Sequence, residues 1–203
     1  MILICAAVEE ELSPLRGRIP GEGIGFAAIG VGLVEAALGA CAALTTRPSV
    51  AILVGTCGAF PDAGLPVGRA VCVEWSLVSS PDVAAGRSYV PEPAQVESRA
   101  APSLVASLCE AAGLPRVGCV TAPAITRDAA CADLLARSTG AEVEHLEAHA
   151  FLRAAERMGV PAACVLGVAN VVGPTAHEEW VQNADAAAAS AADALLRWLK
   201  AYG

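Results

Sequence analysis

The sequence predicts an α/β protein with three layers, in which a mostly parallel, mixed central sheet is flanked by helices. Short apolar runs alternate with helical patterns of about 10 to 15 residues, which is typical of such a sheet. The 203 residues are 55% hydrophobic, 17% charged and 4% aromatic, a balance that disfavours disorder. Much of the apolar content is Ala and Val, and small side chains favour close packing of helix on sheet. This length fits one domain spanning residues 1–203.

Strands are predicted where short apolar runs without polar alternation stand between turn residues, the pattern of strands buried on both faces. In chain order these runs are MILICAA (1–7), GFAAIG (25–30), SVAILVG (49–55), RAVCVEWSLV (69–78), RVGCVTA (116–122), the first residues of 141–159, and PAACVLGVAN (161–170). We expect them to form the central sheet.

Helices are predicted between the strands, several with Pro near the start and Gly at the end. They are LSPLRGRI (12–19), LVEAALGACAAL (33–44), APSLVASLCEAAG (101–113), TRDAACADLLARSTG (126–140), the later part of 141–159, and roughly residues 183–201. Residues 80–100 are rich in Pro, Ser and Gly and predict a long surface loop, a type of segment that is often functional.

Charge and cysteine usage exclude several classes of function. The net charge is −8 and no basic stripe is present, so nucleic acid and anionic membranes are poor partners. The longest apolar stretch, residues 26–44, contains Glu35 and three glycines, which favours a strand, turn and helix over a membrane span. No basic region precedes the first apolar run, so no secretory signal is predicted. The eight cysteines form no CxxC pair, which predicts reduced thiols in a cytoplasmic protein.

Candidate functional residues follow from the predicted sheet. In open α/β sheets, ligands bind beyond the carboxyl ends of the strands. Polar or glycine-rich segments stand at six such ends, at residues 9–11, 30–32, 55–58, 121–127, 144–147 and 169–170. We expect these segments to surround a ligand site.

Three consecutive carboxylates, Glu9, Glu10 and Glu11, directly follow the first strand. Acidic residues at a helix N-terminus are stabilised by the helix dipole, each by about 0.3 to 1 kcal/mol, which suffices to explain them. Alternatively, one carboxylate faces the cleft as a general base with a pKa tuned by burial. The residues alone leave both interpretations open.

The segment Gly-Thr-Cys-Gly at residues 55–58 follows the third strand. It predicts a tight turn that needs positive φ, or a backbone that approaches a ligand while Thr56 offers its hydroxyl. No Gly-Lys-Ser/Thr follows, so it is not a Walker A motif, and residues 30–32 are not a GxGxxG motif because Glu35 stands in place of the last glycine. Cys57 has no histidine at an obvious partner position and is not predicted to be a nucleophile.

Glu144 and Glu147 are predicted at the start of a helix, where residues three apart share a face. One carboxylate can then face the cleft while the other supports it. His145 and His149 lie four apart beside them, but the pattern is not HExxH, so no metal is expected.

Asn170 ends the late apolar strand. Asn is common in turns, which explains it without a function. Its amide also offers one donor side and one acceptor side, a pair that can bind the edge of a planar heterocycle.

Taken together, five segments resemble the purine nucleoside phosphorylase and nucleosidase superfamily, in particular its hydrolytic branch of futalosine hydrolases and methylthioadenosine/adenosylhomocysteine nucleosidases. They are ILICAAVEEELSPL, GVGLVEAAL, ILVGTCGAF followed by LPVG, VEHLEAHAF, and VLGVANVVGP with EEW behind it. They occur in the order of the family and cover nearly the whole chain. The resemblance implies a nucleoside phosphorylase-like fold, a purine nucleoside substrate, no cofactor and a homo-oligomer.

The resemblance also implies roles for single residues. Glu11 falls on the carboxylate that activates the attacking water, and Thr56 on the hydroxyl near that water. Glu147 falls on the residue that holds the ribose hydroxyls, Leu146 packs under the sugar, and Asn170 contacts the N7 edge of the purine. The remaining substrate-binding residues by this resemblance are Gly58, Ile125 and Thr126.

Two departures from the family pattern refine the expected activity. The phosphorylases carry a phosphate loop with Gly-Asp-Pro and arginines after the first strand, whereas this chain has Ala6-Ala7-Val8 and three glutamates, which repel phosphate. Asn170 stands where the adenine-cleaving nucleosidases have Asp, and its NH₂ suits a purine O6 better than a 6-amino group. We therefore expect a hydrolase of a 6-oxopurine nucleoside, in particular futalosine.

Other functions stay open on the sequence. They are a methylthioadenosine/adenosylhomocysteine nucleosidase, a purine nucleoside phosphorylase, and a nucleoside-binding protein without catalysis on the same fold. Arg87 and Arg127 are candidates for a residue that binds a carboxylate on the part of the substrate beyond the ribose.

Overall fold

The computed structural model describes residues 1–19 and 23–202, and most of this chain lies in alternating strands and helices. The strands are β1 (Ile2–Ala6), β2 (Ile24–Ala28), β3 (Val50–Ala59), β4 (Ala70–Val78), β5 (Glu97–Arg99), β6 (Arg116–Thr121), β7 (Val143–His145) and β8 (Ala162–Val171). The helices are α1 (Glu9–Leu12), α2 (Gly32–Leu44), α3 (Pro81–Ala84), α4 (Pro102–Ala112), α5 (Ala129–Thr139), α6 (Ala148–Met158) and α7 (Ala176–Tyr202), with a 3₁₀ turn at Pro61–Ala63.

The strands form one mixed sheet in the order β2-β1-β3-β7-β6-β4-β5, and β8 pairs with both β3 and β4. Five of the strand pairs are parallel, β1–β2, β1–β3, β3–β8, β4–β6 and β6–β7. Three are antiparallel, β3–β7, β4–β5 and β4–β8. Strands β3, β8, β4, β6 and β7 are thus paired in a closed circuit, from which β1 and β2 extend. The mostly parallel, mixed sheet predicted from the sequence is confirmed.

Helices flank the sheet and bury its apolar strands. Helix α7 packs on β8 and against α4, while α2 and α6 pack together. The approach of α7 is close because residue 167 is glycine: a Cβ atom there would lie 2.0 Å from the carbonyl oxygen of Ala187. Strands β3 and β8 are buried along nearly their whole length, as the absence of polar alternation predicts. The predicted α/β class is confirmed.

The helix predicted at residues 12–19 is wrong. The structure has only the single turn Glu9–Leu12, followed by turns. Pro14 lacks the N–H that would continue the helix, and Gly17 has φ of +77°, a left-handed conformation. The short helix α1 therefore consists of the three consecutive glutamates and Leu12.

Of the two interpretations of residues 55–58, the tight turn is wrong, because β3 continues through the segment to Ala59. Gly55 and Gly58 do not have positive φ, and the whole segment stays paired with β8. Glycine is needed there for space. A Cβ atom at Gly55 would lie 2.9 Å from Glu11 Oε1, and one at Gly58 would lie 2.9 Å from Asn170 Nδ2.

The last helix begins earlier than predicted, at Ala176 rather than near residue 183, and α7 is 27 residues long. Within residues 1–19 and 23–202, no helix is both long enough and apolar enough to cross a membrane. The predicted loop at 80–100 contains the short helix α3 and the three-residue strand β5.

Candidate functional site

A cavity of about 390 Å³ lies where β1, β3, β7 and β8 end. It is lined by the eight residues to which the family resemblance gave a catalytic or substrate-binding role, Glu11, Thr56, Gly58, Ile125, Thr126, Leu146, Glu147 and Asn170. His145 from the predicted segment 144–147 also lines it, as do His177 and Trp180, to which sequence reasoning gave no role in the site. Side chains from several of the predicted strand ends therefore meet in one cavity, and the pairing of the strands determines which of them lie together.

Glu11 lies on the short helix α1, and its carboxylate contacts β3 at Thr56. Its Oε1 accepts a hydrogen bond from the backbone N–H of Thr56 at 3.0 Å and one from the Thr56 hydroxyl at 3.4 Å. Its Oε2 is buried, and no described residue donates a hydrogen bond to it. Because Gly55 has no side chain, the carboxylate can lie directly against β3. Thr56 thus holds one carboxylate oxygen, while the other has no hydrogen-bond donor among the described residues.

Burial raises the pKa of Glu11 above its ordinary value. The backbone N–H of Thr56 acts in the opposite direction and lowers it, whereas the nearby Glu147 raises it. A carboxylate whose pKa is raised is a stronger base than one in water, and such a shift is characteristic of general bases.

Glu147 precedes helix α6 and is 4% exposed. Its Oε1 accepts a 2.7 Å hydrogen bond from the backbone N–H of Gly32, the first residue of α2. A carboxylate at a helix N-terminus is stabilised by the helix dipole. Its Oε2 lies 3.3 Å from Nδ1 of His145. The structure does not place Glu144 and Glu147 on one helix face as predicted, because Glu144 belongs to β7.

The contact between His145 and Glu147 is not an ion pair. Nδ1 of His145 accepts hydrogen bonds from the backbone N–H groups of Glu147 and Ala148, both at 3.1 Å. An acceptor nitrogen carries no proton, so this network assigns the proton of a neutral ring to Nε2. His145 therefore caps the start of α6 and fixes the backbone of Glu147.

Glu144 supports the segment that precedes α5. It pairs with Gly58 across β7 and β3, and its Oε1 accepts a 2.9 Å hydrogen bond from the backbone N–H of Thr126. Its Oε2 is buried without a donor among the described residues. Burial raises the pKa of Glu144, and the hydrogen bonds from Thr126 only partly offset this effect. Sequence reasoning placed Glu144 among the candidates but gave it no role.

Asn170 lies near the end of β8 and is 8% exposed. Its Nδ2 donates to the carbonyl of Val171 at 3.1 Å, which leaves a second amide proton and Oδ1 available. Asn170 and Glu144 both pair with Gly58, from β8 and β7 respectively. Directly paired residues direct their side chains to the same face of a sheet, so the bare Gly58 lies between two polar side chains.

Trp180 and His177 project from the first turns of α7 into the cavity lining. The Trp180 indole N–H donates to the Thr56 hydroxyl at 3.2 Å. The rings of Trp180 and His177 are stacked, with their centroids 6.4 Å apart. Sequence reasoning included Trp180 in the EEW segment of the family resemblance but gave neither residue a role in the site, and it placed the start of the helix near residue 183. A signal was present, since Thr175 and Glu178 have the Thr-x-x-Glu spacing of a helix N-terminus.

Other candidates lie elsewhere. Arg87 and Arg127 do not line the cavity, and Arg87 forms an exposed ion pair with Asp82 on α3. His149 is also absent from the lining, and its backbone N–H donates to the Thr121 hydroxyl. In the part of the chain that the structure describes, no three His, Cys, Asp or Glu side chains are grouped as metal ligands.

Solved structures of similar fold are nucleosidases and hydrolases. A futalosine hydrolase mutant of Helicobacter pylori strain 26695 superposes with a TM-score of 0.87 at 17% identity, over 98% of each chain. The 5'-methylthioadenosine/S-adenosylhomocysteine nucleosidase of Neisseria meningitidis, in complex with methylthio-immucillin-A, gives the same TM-score, identity and coverage. S-adenosylhomocysteine nucleosidase from Streptococcus pyogenes, in complex with 5-methylthiotubericidin, gives 0.86 at 20% identity, over 100% of this chain and 97% of that one. At these identities the likeness establishes the fold.

No curated protein sequence matches the chain. The model of one protein family, the phosphorylase superfamily, matches residues 7–201. This match spans every strand end that contributes to the cavity except the last residue of β1. The chain belongs to the phosphorylase superfamily.

Proposed function

We propose that this protein is a nucleosidase that hydrolyses the N-glycosidic bond of a purine nucleoside. The observation that carries the proposal is Glu11, a partly buried carboxylate with a raised pKa, whose Oε2 has no donor among the described residues and which lines the same cavity as Glu147 and Asn170. Membership of the superfamily and the shared fold with nucleosidases support it.

The proposed reaction assigns one task to each of these side chains. Water loses a proton to Glu11 Oε2 while its oxygen attacks the anomeric carbon. The C–N bond breaks and its electron pair leaves with the base, where a polar group at N7 stabilises the developing charge. Glu147 holds the two ribose hydroxyls and so orients the sugar. Two glutamates and one asparagine meet this requirement without a metal or an organic cofactor.

Water is the proposed nucleophile in place of phosphate. Glu9, Glu10 and Glu11 form most of helix α1, which is separated from β1 by two residues, and Glu11 and Glu147 both line the cavity. Negative charges at this end of the sheet repel phosphate and so oppose its binding. A phosphorylase is therefore the weaker candidate, although the superfamily takes its name from that activity.

Futalosine is the proposed substrate, cleaved to hypoxanthine and dehypoxanthine futalosine in menaquinone biosynthesis. Asn170 supports this choice, since its NH₂ can donate to O6 of a 6-oxopurine but meets another donor in adenine. The alternative is a methylthioadenosine/adenosylhomocysteine nucleosidase, whose solved relatives share the fold equally well. We also propose that the protein is a cytoplasmic homo-oligomer. The exposed apolar side chains of Val34 and Leu38 on α2 favour association of subunits. Sedimentation velocity would detect such an oligomer.

The proposal is tested by incubating the protein with futalosine, methylthioadenosine and inosine, each with and without phosphate, and measuring the free base. We expect release of hypoxanthine from futalosine at a rate that phosphate does not change. Release that depends on phosphate would identify a phosphorylase, preference for methylthioadenosine would refute the choice of base, and binding without release would indicate a binding protein.

Replacing Glu11 by Gln removes the general base while keeping a side chain that accepts hydrogen bonds from Thr56. We expect kcat to fall by about 10² to 10⁴-fold, the usual contribution of such a base, with an unchanged circular dichroism spectrum. Glu10→Gln makes the same change of charge at an exposed neighbour and is the control. Near-normal turnover in Glu11→Gln would show that Glu11 is only a helix-terminus charge.

Replacing Asn170 by Asp tests the choice of base. We expect the ratio of kcat/KM for inosine to that for methylthioadenosine to fall by about tenfold, roughly the value of one hydrogen bond. The control is Asn183→Asp on α7, because Asn183 donates to the carbonyl of Glu179 and does not line the cavity. An unchanged ratio in Asn170→Asp would refute the role of Asn170 in selecting the base.

A further inference from the structure

Two hydrogen bonds connect the exposed side of the cavity to Glu11. Trp180 is 44% exposed, and its indole Nε1 lies 3.2 Å from the Thr56 hydroxyl oxygen. That oxygen lies 3.4 Å from Glu11 Oε1. The indole is therefore linked to Glu11 by way of Thr56, and any effect of the indole on Glu11 through these bonds passes through the Thr56 hydroxyl.

The chemistry of the groups fixes the direction of both hydrogen bonds. An indole N–H can only donate, so it uses a lone pair of the Thr56 oxygen. An ionised carboxylate can only accept, so the single proton of the Thr56 hydroxyl points to Glu11. A hydroxyl that accepts one hydrogen bond becomes a better donor in the next. With the Thr56 backbone N–H at 3.0 Å, Oε1 then has two donors and Oε2 has none among the described residues.

We propose that Trp180 is a positioning residue for Glu11: its indole N–H holds the Thr56 hydroxyl towards Oε1 and so reserves Oε2 for the proton of the attacking water. This inference rests on the proposed nucleosidase function. The residue acts through Thr56 and touches no reacting atom. A tryptophan that served only as an apolar wall, stacked on His177, would need its rings but not its N–H.

Trp180→Phe separates these two roles, because it keeps an aromatic ring and removes the donor. Without the indole donor the hydroxyl of Thr56 can turn away from Glu11. Losing a donor to the ionised form raises the pKa of a carboxyl group, so the acidic limb of the pH profile of kcat/KM should move to higher pH. We expect kcat at neutral pH to fall by about threefold to tenfold, the range for one hydrogen bond. His145, Glu147 and His177 also face the cavity near Glu11 and are unchanged in this variant.

A double-mutant cycle with Thr56→Val tests whether the effect passes through the hydroxyl. In the Thr56→Val background, Trp180→Phe should cause no further loss, whereas in the Thr56→Ser background, which keeps a hydroxyl, the loss should persist. The control is Trp198→Phe on the same helix, which removes an indole bond of 2.9 Å to Ser107 away from the cavity and should leave kcat/KM unchanged.

A measurement without turnover keeps this inference separate from the proposed function. The pKa of Glu11 is measured by ¹³C NMR of labelled glutamate carboxyl groups, with the Glu11 signal assigned by its loss in Glu11→Gln. We expect a higher pKa in Trp180→Phe than in the wild type. An equal pKa, or equal losses of kcat/KM with and without the Thr56 hydroxyl, would overturn the inference. A wild-type protein that cleaves no nucleoside would overturn the proposed function, and the NMR comparison would still decide the role of Trp180.

Discussion

Glycine at position 55 determines where the carboxylate of Glu11 lies. A Cβ atom at this position would be 2.9 Å from Oε1 and 3.3 Å from the carboxyl carbon and from Oε2. Contacts under 3.0 Å force a group to move, and here the carboxylate is held by two donors from Thr56. The space left by Gly55 is therefore part of the site, although Gly55 offers no functional group.

Gly55→Ala should displace Glu11 and impair turnover more than folding. A displacement of about 1 Å can cost on the order of 10²-fold in rate, whereas overpacking of this kind costs about 1–3 kcal/mol of unfolding free energy. The two quantities are measured by kcat/KM and by urea denaturation. In a Glu11→Ala background the added methyl has room, so Gly55→Ala should then cause little further destabilisation. Wild-type kcat/KM in the single variant would contradict the prediction.

The identity of several site residues could be predicted from the sequence, but their contacts could not. Glu11 and Asn170 stand at strand ends, a position that indicates a ligand site without any structure. The bond from Gly32 to Glu147 joins residues 115 apart in the chain, and no local pattern reports it. Trp180 was given no role in the site, and the start of α7 was placed too late.

At the scale of elements, the prediction failed mainly at boundaries. The segment at 55–58 was taken as the end of a strand, yet β3 runs through it to Ala59, whereas β8 ends at Val171, one residue after Asn170. The two strands pair in parallel over this whole length, with one irregularity between Cys57 and Gly58. Gly and Asn have low intrinsic preference for strands, but the backbone hydrogen bonds between β3 and β8 outweigh this preference and keep both strands continuous beneath the cavity.

Helix α7 depends on a second bare glycine. It carries Trp180 at one end and lies on β8 at Gly167, where a Cβ atom would be 2.0 Å from the carbonyl oxygen of Ala187. The obstructing atom belongs to helix backbone and cannot rotate away. The distance between α7 and the sheet, and with it the position of Trp180, is therefore set at Gly167.

Gly167→Ala should push α7 away from β8 and destabilise the protein by about 1–3 kcal/mol or more. For a chain of this size, each 1 kcal/mol corresponds to a fall in Tm of about 2–4 °C, measured by calorimetry. Gly25→Ala in β2 is the matched control, because its Cβ would make only ordinary contacts at 3.5 Å with Leu3 and Met1. Equal melting temperatures for the two variants would refute the importance of this contact.

At the scale of the whole molecule, the cavity brings Glu11, Glu144 and Glu147 together in a chain that already has a net charge of −8. Glu11 and Glu144 both have pKa values raised by burial. Their folded state thus holds protons more tightly than the unfolded chain does. Ionising these two carboxyl groups therefore lowers the free energy of unfolding.

The free energy of unfolding should therefore depend on pH in a defined direction. The contribution of Glu11 and Glu144 is fully present below the unfolded pKa of about 4.3 and is lost as pH rises through their folded pKa values. Glu11→Gln and Glu144→Gln should each become more stable relative to wild type between pH 4 and pH 8, as measured by urea denaturation at both pH values.

Glu179 provides a control of opposite sign. Its pKa is lowered, first by the Thr175 hydroxyl and then by the Val171 backbone N–H, so its contribution is present above the unfolded pKa and lost at lower pH. Glu179→Gln should lose stability relative to wild type as pH rises. The prediction for the buried pair fails if their variants show no pH dependence relative to wild type, or the same sign as Glu179→Gln.

The location of Trp180 also gives the protein a built-in optical reporter. Of the three tryptophans in the chain, Trp180 lines the cavity, whereas Trp198 is buried against Ser107 and Trp75 packs over Gly118. Indole emission responds to its surroundings, and a ligand that enters the cavity replaces the solvent beside this half-exposed ring. Intrinsic fluorescence can therefore follow the filling of the cavity directly, for substrates and for inert analogues alike.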